Sequence, residues 1–123
     1  MEIDLLGVPT DFGANRRGVD MGPSAIRYAG LIAELNKLDI IVNDLGDIRV
    51  PMVRNEAIID NKGAKFLDEV VNVCQVLAQR IENTINKENI PVTIGGDHSI
   101  TLGSLAGLSK HQEVGLIWFD AHG

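Results

Sequence analysis

The sequence holds a single cysteine, Cys74, among 123 residues. No disulfide can therefore form within the chain, and a reducing cytoplasm is the expected compartment. Basic residues are outnumbered 11 to 17, giving a net charge of -6. That shortage argues against the basic face of a nucleic-acid binder and against a polybasic membrane-surface protein. No apolar run approaches the roughly 20 residues a membrane helix needs. The opening Met-Glu-Ile-Asp has neither the basic stretch nor the apolar stretch of a secretory signal, so none is expected. Repeats and low-complexity tracts are lacking. So are a G-x-G-x-x-G after the first apolar run and a G-x-S-x-G elbow. Gly13 and Gly18 have the spacing of a phosphate loop, but Val19-Asp20 stands where Lys-Ser/Thr is required.

What is present is an ordinary globular composition, 45% hydrophobic and 23% charged, in a chain long enough to bury a core without cross-links. Residues Ile3 to Val8 predict a first strand, closed by Pro9 and followed by a long loop, Thr10 to Gly22. Pro23 suits the first turn of a helix, which continues through Tyr28, Leu31, Ile32 and Leu35 at helical spacing. Ile40 to Leu45 predicts a second strand, and Asp47 to Gly63 a surface connection. Leu67, Val70, Val71, Cys74, Ala78, Ile81 and Ile85 mark one face of a long helix. Pro91 to Ile94 predicts a third strand, Ser99 to Lys110 another helix, and Val114 to Phe119 a strand apolar on both faces.

This alternation predicts an α/β fold, a parallel sheet covered by helices, in one domain. A strand apolar on both sides belongs inside such a sheet. It lies so close to Gly123 that no covering helix follows, and a central strand left as an edge invites aggregation. The expectation is a fragment of a larger domain.

Ligands of open parallel sheets gather beyond the carboxyl ends of the strands. Two predicted strands end there in metal-binding residue types: Gly95-Gly96-Asp97-His98-Ser99 and Asp120-Ala121-His122-Gly123. Residues two apart in an extended chain project to one side, so Asp120 and His122 can face a common point, and His98 can reach it from a neighbouring strand. Imidazoles with carboxylates and no thiolate suit manganese, zinc or iron, without choosing among them. Plainer roles compete. A histidine after a Gly-Gly turn can simply pack, Asp-x-His is a common tripeptide, and Asp97 and Ser99 are expected to cap the following helix. Two such groups on successive strand ends nevertheless point to a metal site. Elsewhere, Cys74 is expected to be a buried, inert thiol, and His111 a solvated loop residue. Arg16 and Arg17 are expected at the surface, with a substrate carboxylate as the alternative.

Together the two motifs resemble the manganese ureohydrolases, the arginase and agmatinase family. Arg17-Gly18-Val19-Asp20-Met21-Gly22-Pro23-Ser24-Ala25-Ile26-Arg27 resembles that family's N-terminal loop and helix start. The Gly-Val-Asp wording, with Ala29-Gly30-Leu31 and Asp44-Leu45-Gly46-Asp47, is closer to arginases than to agmatinases. The resemblance covers residues 3 to 123 and implies a three-layer α/β/α fold with a mostly parallel sheet. It implies two Mn2+ per active site in the full-length chain. His98 would bind one ion, Asp120 bridge both and His122 bind the second, while a hydroxide between them attacks the guanidinium carbon of L-arginine to give urea and L-ornithine. It also implies a cytoplasmic homo-oligomer, trimer or hexamer, acting on a small molecule, with neither nucleic acid nor membrane as partner.

The family's next aspartate ligand, its Asp-x-Asp pair, its histidine proton shuttle and its substrate clamp would all lie past Gly123. Residues 1–123 are therefore expected to be the N-terminal portion of one ureohydrolase domain, truncated within the second metal motif and inactive alone. An agmatinase or other guanidino-compound hydrolase is the nearest rival. A non-catalytic family member is the second.

Overall fold

The computed structural model describes residues 1–52, 66–111 and 113–121. Its sheet is built from β1 (Glu2–Val8), β2 (Ile41–Asp47) and β3 (Ile90–Gly95), in the order β2-β1-β3. Both pairings are parallel: Ile3 to Val8 of β1 run beside Ile90 to Gly95 of β3, and β1 meets β2 from Glu2 opposite Ile41, with an irregularity between Leu5 and Gly7. A parallel pair cannot be closed by a tight turn, so helices fill the crossovers. They are α1 (Gly22–Tyr28), α2 (Leu31–Asn36), α3 (Leu67–Ile85) and α4 (Ile100–Leu108).

The middle strand shows how the layers are arranged, because it is buried from Ile3 to Val8. On one face Leu6 and Val8 join Val73, Leu77 and Ile81 of α3 in the core, and Asp4 meets Thr84 of the same helix. On the other face a side chain at Gly7 would strike Arg27 of α1 and Asp47. Helices thus cover both faces, the arrangement that right-handed crossovers to opposite sides of β1 require. This is the three-layer parallel α/β fold expected from the sequence.

The long helix falls where the apolar stripe predicts it, but the face it buries is turned from that stripe: Val73, Leu77, Ala78, Ile81 and Thr84 are buried, while Val71 is 45% exposed, because the sheet and α4 together decide which side is covered. The helix α4 packs closely along it. That closeness depends on Gly103 and Gly107, one turn apart on α4. A Cβ on Gly103 would lie 2.8 Å from the Cys74 carbonyl oxygen, and one on Gly107 would lie 2.6 Å from that of Ala78.

Three expectations need correction. The single helix predicted across Pro23 to Leu35 is two, because the chain turns at Ala29-Gly30 and Gly30 adopts a φ of +95°. The connection after β2 does not begin at the surface, since Ile48 is buried in the core; residues 53–65 of that connection lie outside the described residues. Most important, 114–119 is not a strand of the sheet. No ladder partner is present for it among the described residues, and Leu116, Ile117 and Phe119 are exposed. Its apolar character records a preference for burial, whereas a strand also needs a neighbour with open N–H and C=O groups.

Candidate functional site

The chain leaves β1 for β2 across one face and returns past β1 to β3 across the other. Such a reversal opens a crevice between the carboxyl ends of the strands that flank it. Here the crevice lies between the loop after β1 and the Gly-Gly-Asp-His-Ser turn after β3.

Gly96 allows those two segments to meet. Its φ is +68°, and a Cβ would lie 2.5 Å from the Thr10 carbonyl oxygen and 2.6 Å from that of Val8, so neither the conformation nor the space suits another residue. Asp97 then locks the junction. Its backbone N–H donates to the Thr10 carbonyl at 3.1 Å. Its carboxylate accepts from the Gly13 N–H at 2.7 Å with one oxygen and from the Ser99 N–H at 2.8 Å with the other. The expected capping role therefore belongs to Asp97 alone, because the Ser99 side chain makes no capping bond. The reach across to Gly13 is a second function that the local sequence did not announce.

His98 stands exposed beyond this lock, on the wall of a cavity of ≈ 530 Å³ shared with Gly13, Asn15, Arg16 and Asp97. Its imidazole packs against the Trp118 indole, with ring centroids 5.2 Å apart and planes at 52°. The Trp118 Nε1–H in turn donates to Asp120 Oδ2 at 3.0 Å. Two of the three expected ligands, His98 and Asp120, are thus linked through one indole. The third, His122, lies outside the described residues. Among the described residues no three His, Cys, Asp or Glu side chains gather to hold a metal ion. An imidazole and a carboxylate at the crevice fit a divalent cation in kind, but two such donors fall short of a centre in number.

The two adjacent arginines part company. Arg17 donates through Nε to Asp11 at 2.7 Å, and its guanidinium sits 5.4 Å from the Phe12 ring centroid and 5.7 Å from that of Phe66. It stands at the surface as expected, with a 40% exposed side chain, and fastens the loop there. Burial pushes the Asp11 carboxyl up, but bonds from Arg17 and the Gly18 N–H, with the Arg17 charge, outweigh it and hold the group below its usual range. Sequence reasoning passed over Asp11; the signal was an acid just past a buried strand with two arginines following. Arg16 instead lines the cavity that holds His98.

The remaining candidates take plain roles. Cys74 is half-buried rather than buried; partial burial pushes its thiol up, and its S–H donates to the Ser99 carbonyl at 3.3 Å, consistent with an inert thiol. His111 Nε2 lies 3.9 Å from Glu82 Oε1 at the surface.

Fold and site together define a parallel α/β protein with a ligand crevice at its strand ends. The family comparison is specific: the Arginase family model matches residues 1–123, and the chain belongs to that family. An arginase of Staphylococcus aureus (strain MSSA476) is 47% identical over 123 residues, which cover 98% of this chain and 41% of that protein. The native structure of the Bacillus caldovelox arginase at pH 5.6 superposes with a TM-score of 0.90 at 42% identity, covering 99% of this chain and 41% of the other. A putative agmatinase from Clostridium difficile shares the fold at a TM-score of 0.67 and 23% identity, covering 98% of this chain and 41% of its own. The chain therefore spans about two fifths of the length of the relatives it matches. Among the described residues no helix is long and apolar enough to cross a membrane.

Proposed function

We propose that this chain is the N-terminal portion of an arginase, which hydrolyses L-arginine to L-ornithine and urea using two Mn2+ ions. The observation that carries the reading is the linkage of His98, on the wall of the crevice, to Asp120 through the Trp118 indole, in a chain 47% identical to a protein named arginase. His98 and His122 would each hold one ion and Asp120 would bridge them, with further ligands supplied from sequence past Gly123. When bound, paired divalent cations make water available as a nucleophile at neutral pH and stabilise the charge that develops on the attacked carbon.

The chain's own contribution is positioning. Gly96 and Asp97 hold the His98 turn against the end of β1, and the Asp11–Arg17 pair with Phe12 stiffens the facing loop. A site held this way loses little freedom when substrate arrives. The same reading makes the protein a cytoplasmic homo-oligomer, trimer or hexamer, with L-arginine as its small-molecule partner. Residues 1–123 alone, with two described donors, do not turn over arginine.

Urea release by the full-length gene product, preincubated with manganese and offered L-arginine and agmatine side by side, tests this. Urea from arginine alone is the expected result. Urea from agmatine alone would move the reading to an agmatinase, and no urea with no bound metal would favour a non-catalytic family member. Turnover by the purified 123-residue chain would overturn its assignment as an incomplete site.

A further inference from the structure

The helix α1 meets the turn that carries His98 through a residue without a side chain. A Cβ on Gly22, its first residue, would overlap the Gly95 carbonyl oxygen and lie 3.2 Å from the Gly96 nitrogen. The φ of Gly22 is -50°, which alanine adopts as readily. Space alone therefore asks for glycine here. Val8 and Thr10, at the exit of β1, close on the same peptide at Gly96.

The other end of α1 is fastened to β2. Arg27 donates through Nε and Nη2 to the two oxygens of Asp44, each at 2.8 Å, and through Nη1 to Asp47 at 2.6 Å. Its side chain is only 20% exposed, and a fork on a carboxylate fixes direction as well as distance. The sheet order puts β1 between β2 and β3, so two strand spacings, roughly 9.6 Å, separate the outer pair. The step from Gly22 to Arg27 rises about 7.5 Å along a helix, and the long arginine side chain supplies the rest. The helix thus reaches from the end of β2 to the end of β3.

We propose that α1 is a strut and that Gly22 and Arg27 are positioning residues. Pinned to β2 by Arg27, the helix sets through Gly22 where the Gly95–Gly96 peptide lies, and so where His98 stands. The proposal rests on the arginase reading above, which takes His98 as a ligand, and gives the far edge of the sheet a part in the site. Groups that orient a metal ligand without touching the metal change its affinity by about 10–100-fold when altered.

The test uses the full-length protein with Gly22→Ala, Arg27→Gln and Arg27→Lys. Asp4→Asn, at the opposite end of the strands, serves as a control for lost stability alone. Mn2+ affinity is read from the resonance of the free ion, and amide exchange at Asp97 and Thr101 is followed in the metal-free protein. Gly22→Ala is expected to weaken Mn2+ binding about tenfold and to quicken exchange at both amides by more than its lost global stability accounts for. Arg27→Gln should act in the same direction, and Arg27→Lys should recover part of the loss because it keeps the charge without the fork. Asp4→Asn should lower the urea midpoint and leave both readouts unchanged. If Gly22→Ala does not fold, Arg27→Gln carries the comparison. Variants that lose stability yet keep Mn2+ affinity and exchange at these amides would overturn the strut, and so would an equal loss of affinity in Asp4→Asn. Absence of Mn2+ binding by the unsubstituted protein would instead sink the arginase reading, and the exchange data would then decide the strut by themselves.

Discussion

The Asp97 carboxylate and the Gly13 N–H are joined at 2.7 Å although 84 positions separate them in the sequence. The bond ties the exit of the third strand to the exit of the first. Asp97→Ala removes it together with the Ser99 cap, and hydrogen bonds to a charged acceptor contribute about 1.5–3 kcal/mol each. The expected outcome is a fall in urea-unfolding free energy of about 2–4 kcal/mol, with faster amide exchange at Gly13 and Ser99. Unchanged exchange at Gly13 would show that the clamp does not hold the loop.

Arg17 fastens the same loop from within. Arg17→Ala leaves Asp11, whose side chain is only 4% exposed, with backbone N–H groups such as that of Gly18 and without its guanidinium partner. Loss of about 2 kcal/mol is expected, since removing one partner strands a desolvated charge. Arg17→Lys should recover less than half, because it lacks the fork and the flat face that meets Phe12 and Phe66. Chemical denaturation of the three proteins side by side gives the comparison.

Gly107→Ala tests the closeness of α3 and α4. Alanine favours a helix over glycine by roughly 1 kcal/mol, so in an open position the change would stabilise. Here the new methyl meets the Ala78 carbonyl and the Ile81 side chain, and overpacking of this kind costs about 1–3 kcal/mol. A lowered urea midpoint is expected; a raised one would mean that the helices separate without penalty.

Acid should weaken the fold through its buried carboxylates. Asp4, 1% exposed, accepts from Thr84, Asn43 and Asn89. Burial pushes its carboxyl up, but those bonds and the Lys87 charge hold it below the usual carboxylate range. Bonds from Arg27 lower Asp44 against a smaller opposing effect of burial, and Asp11 shifts the same way. A group depressed in the folded state binds fewer protons there than in the unfolded chain. Its stabilisation is therefore complete above the unfolded value and is lost as pH falls through the folded one. Urea midpoints should be flat above about pH 5 and decline below about pH 4. Asp4→Asn should make that decline shallower.

The sequence made the three strands and the long helix legible because their apolar periods coincide with real layers. It did not show which face of the helix is buried: Leu6 and Val8 meet Val73, Leu77 and Ile81, of which the stripe named only Ile81. The split at Gly30 was harder to see, since Tyr28, Leu31, Ile32 and Leu35 keep helical spacing across it while Tyr28 is 93% exposed. The run 114–119 misled in another way, because hydrophobicity cannot report whether a ladder partner stands alongside. At the crevice, His98 could be picked out by residue type and its place after β3, whereas Asp120 rested on residue type alone, since the strand expected before it is absent from the sheet. Asp4, Asp11 and the second task of Asp97 could not, because each depends on donors brought from distant sequence, as Thr84 is to Asp4.

The middle strand of the sheet is the first segment of the chain, and one of its neighbours begins only at Ile90. At about 5–20 residues per second on the ribosome, Leu5, Leu6 and Val8 wait roughly 5–20 s before β3 can pair with them. Throughout that interval an apolar strand, destined for burial on both faces, lacks one of its two ladder neighbours, and for most of it has only β2 and the first two helices for cover, since α3 is completed at Ile85. The order of synthesis and the order of the sheet are therefore opposed. The beginning of this chain needs shielding in the cell for as long as its third strand is unmade. Ribosome-arrested chains ending before residue 90 should accordingly be cut by protease within β1, and chains that expose β3 should resist.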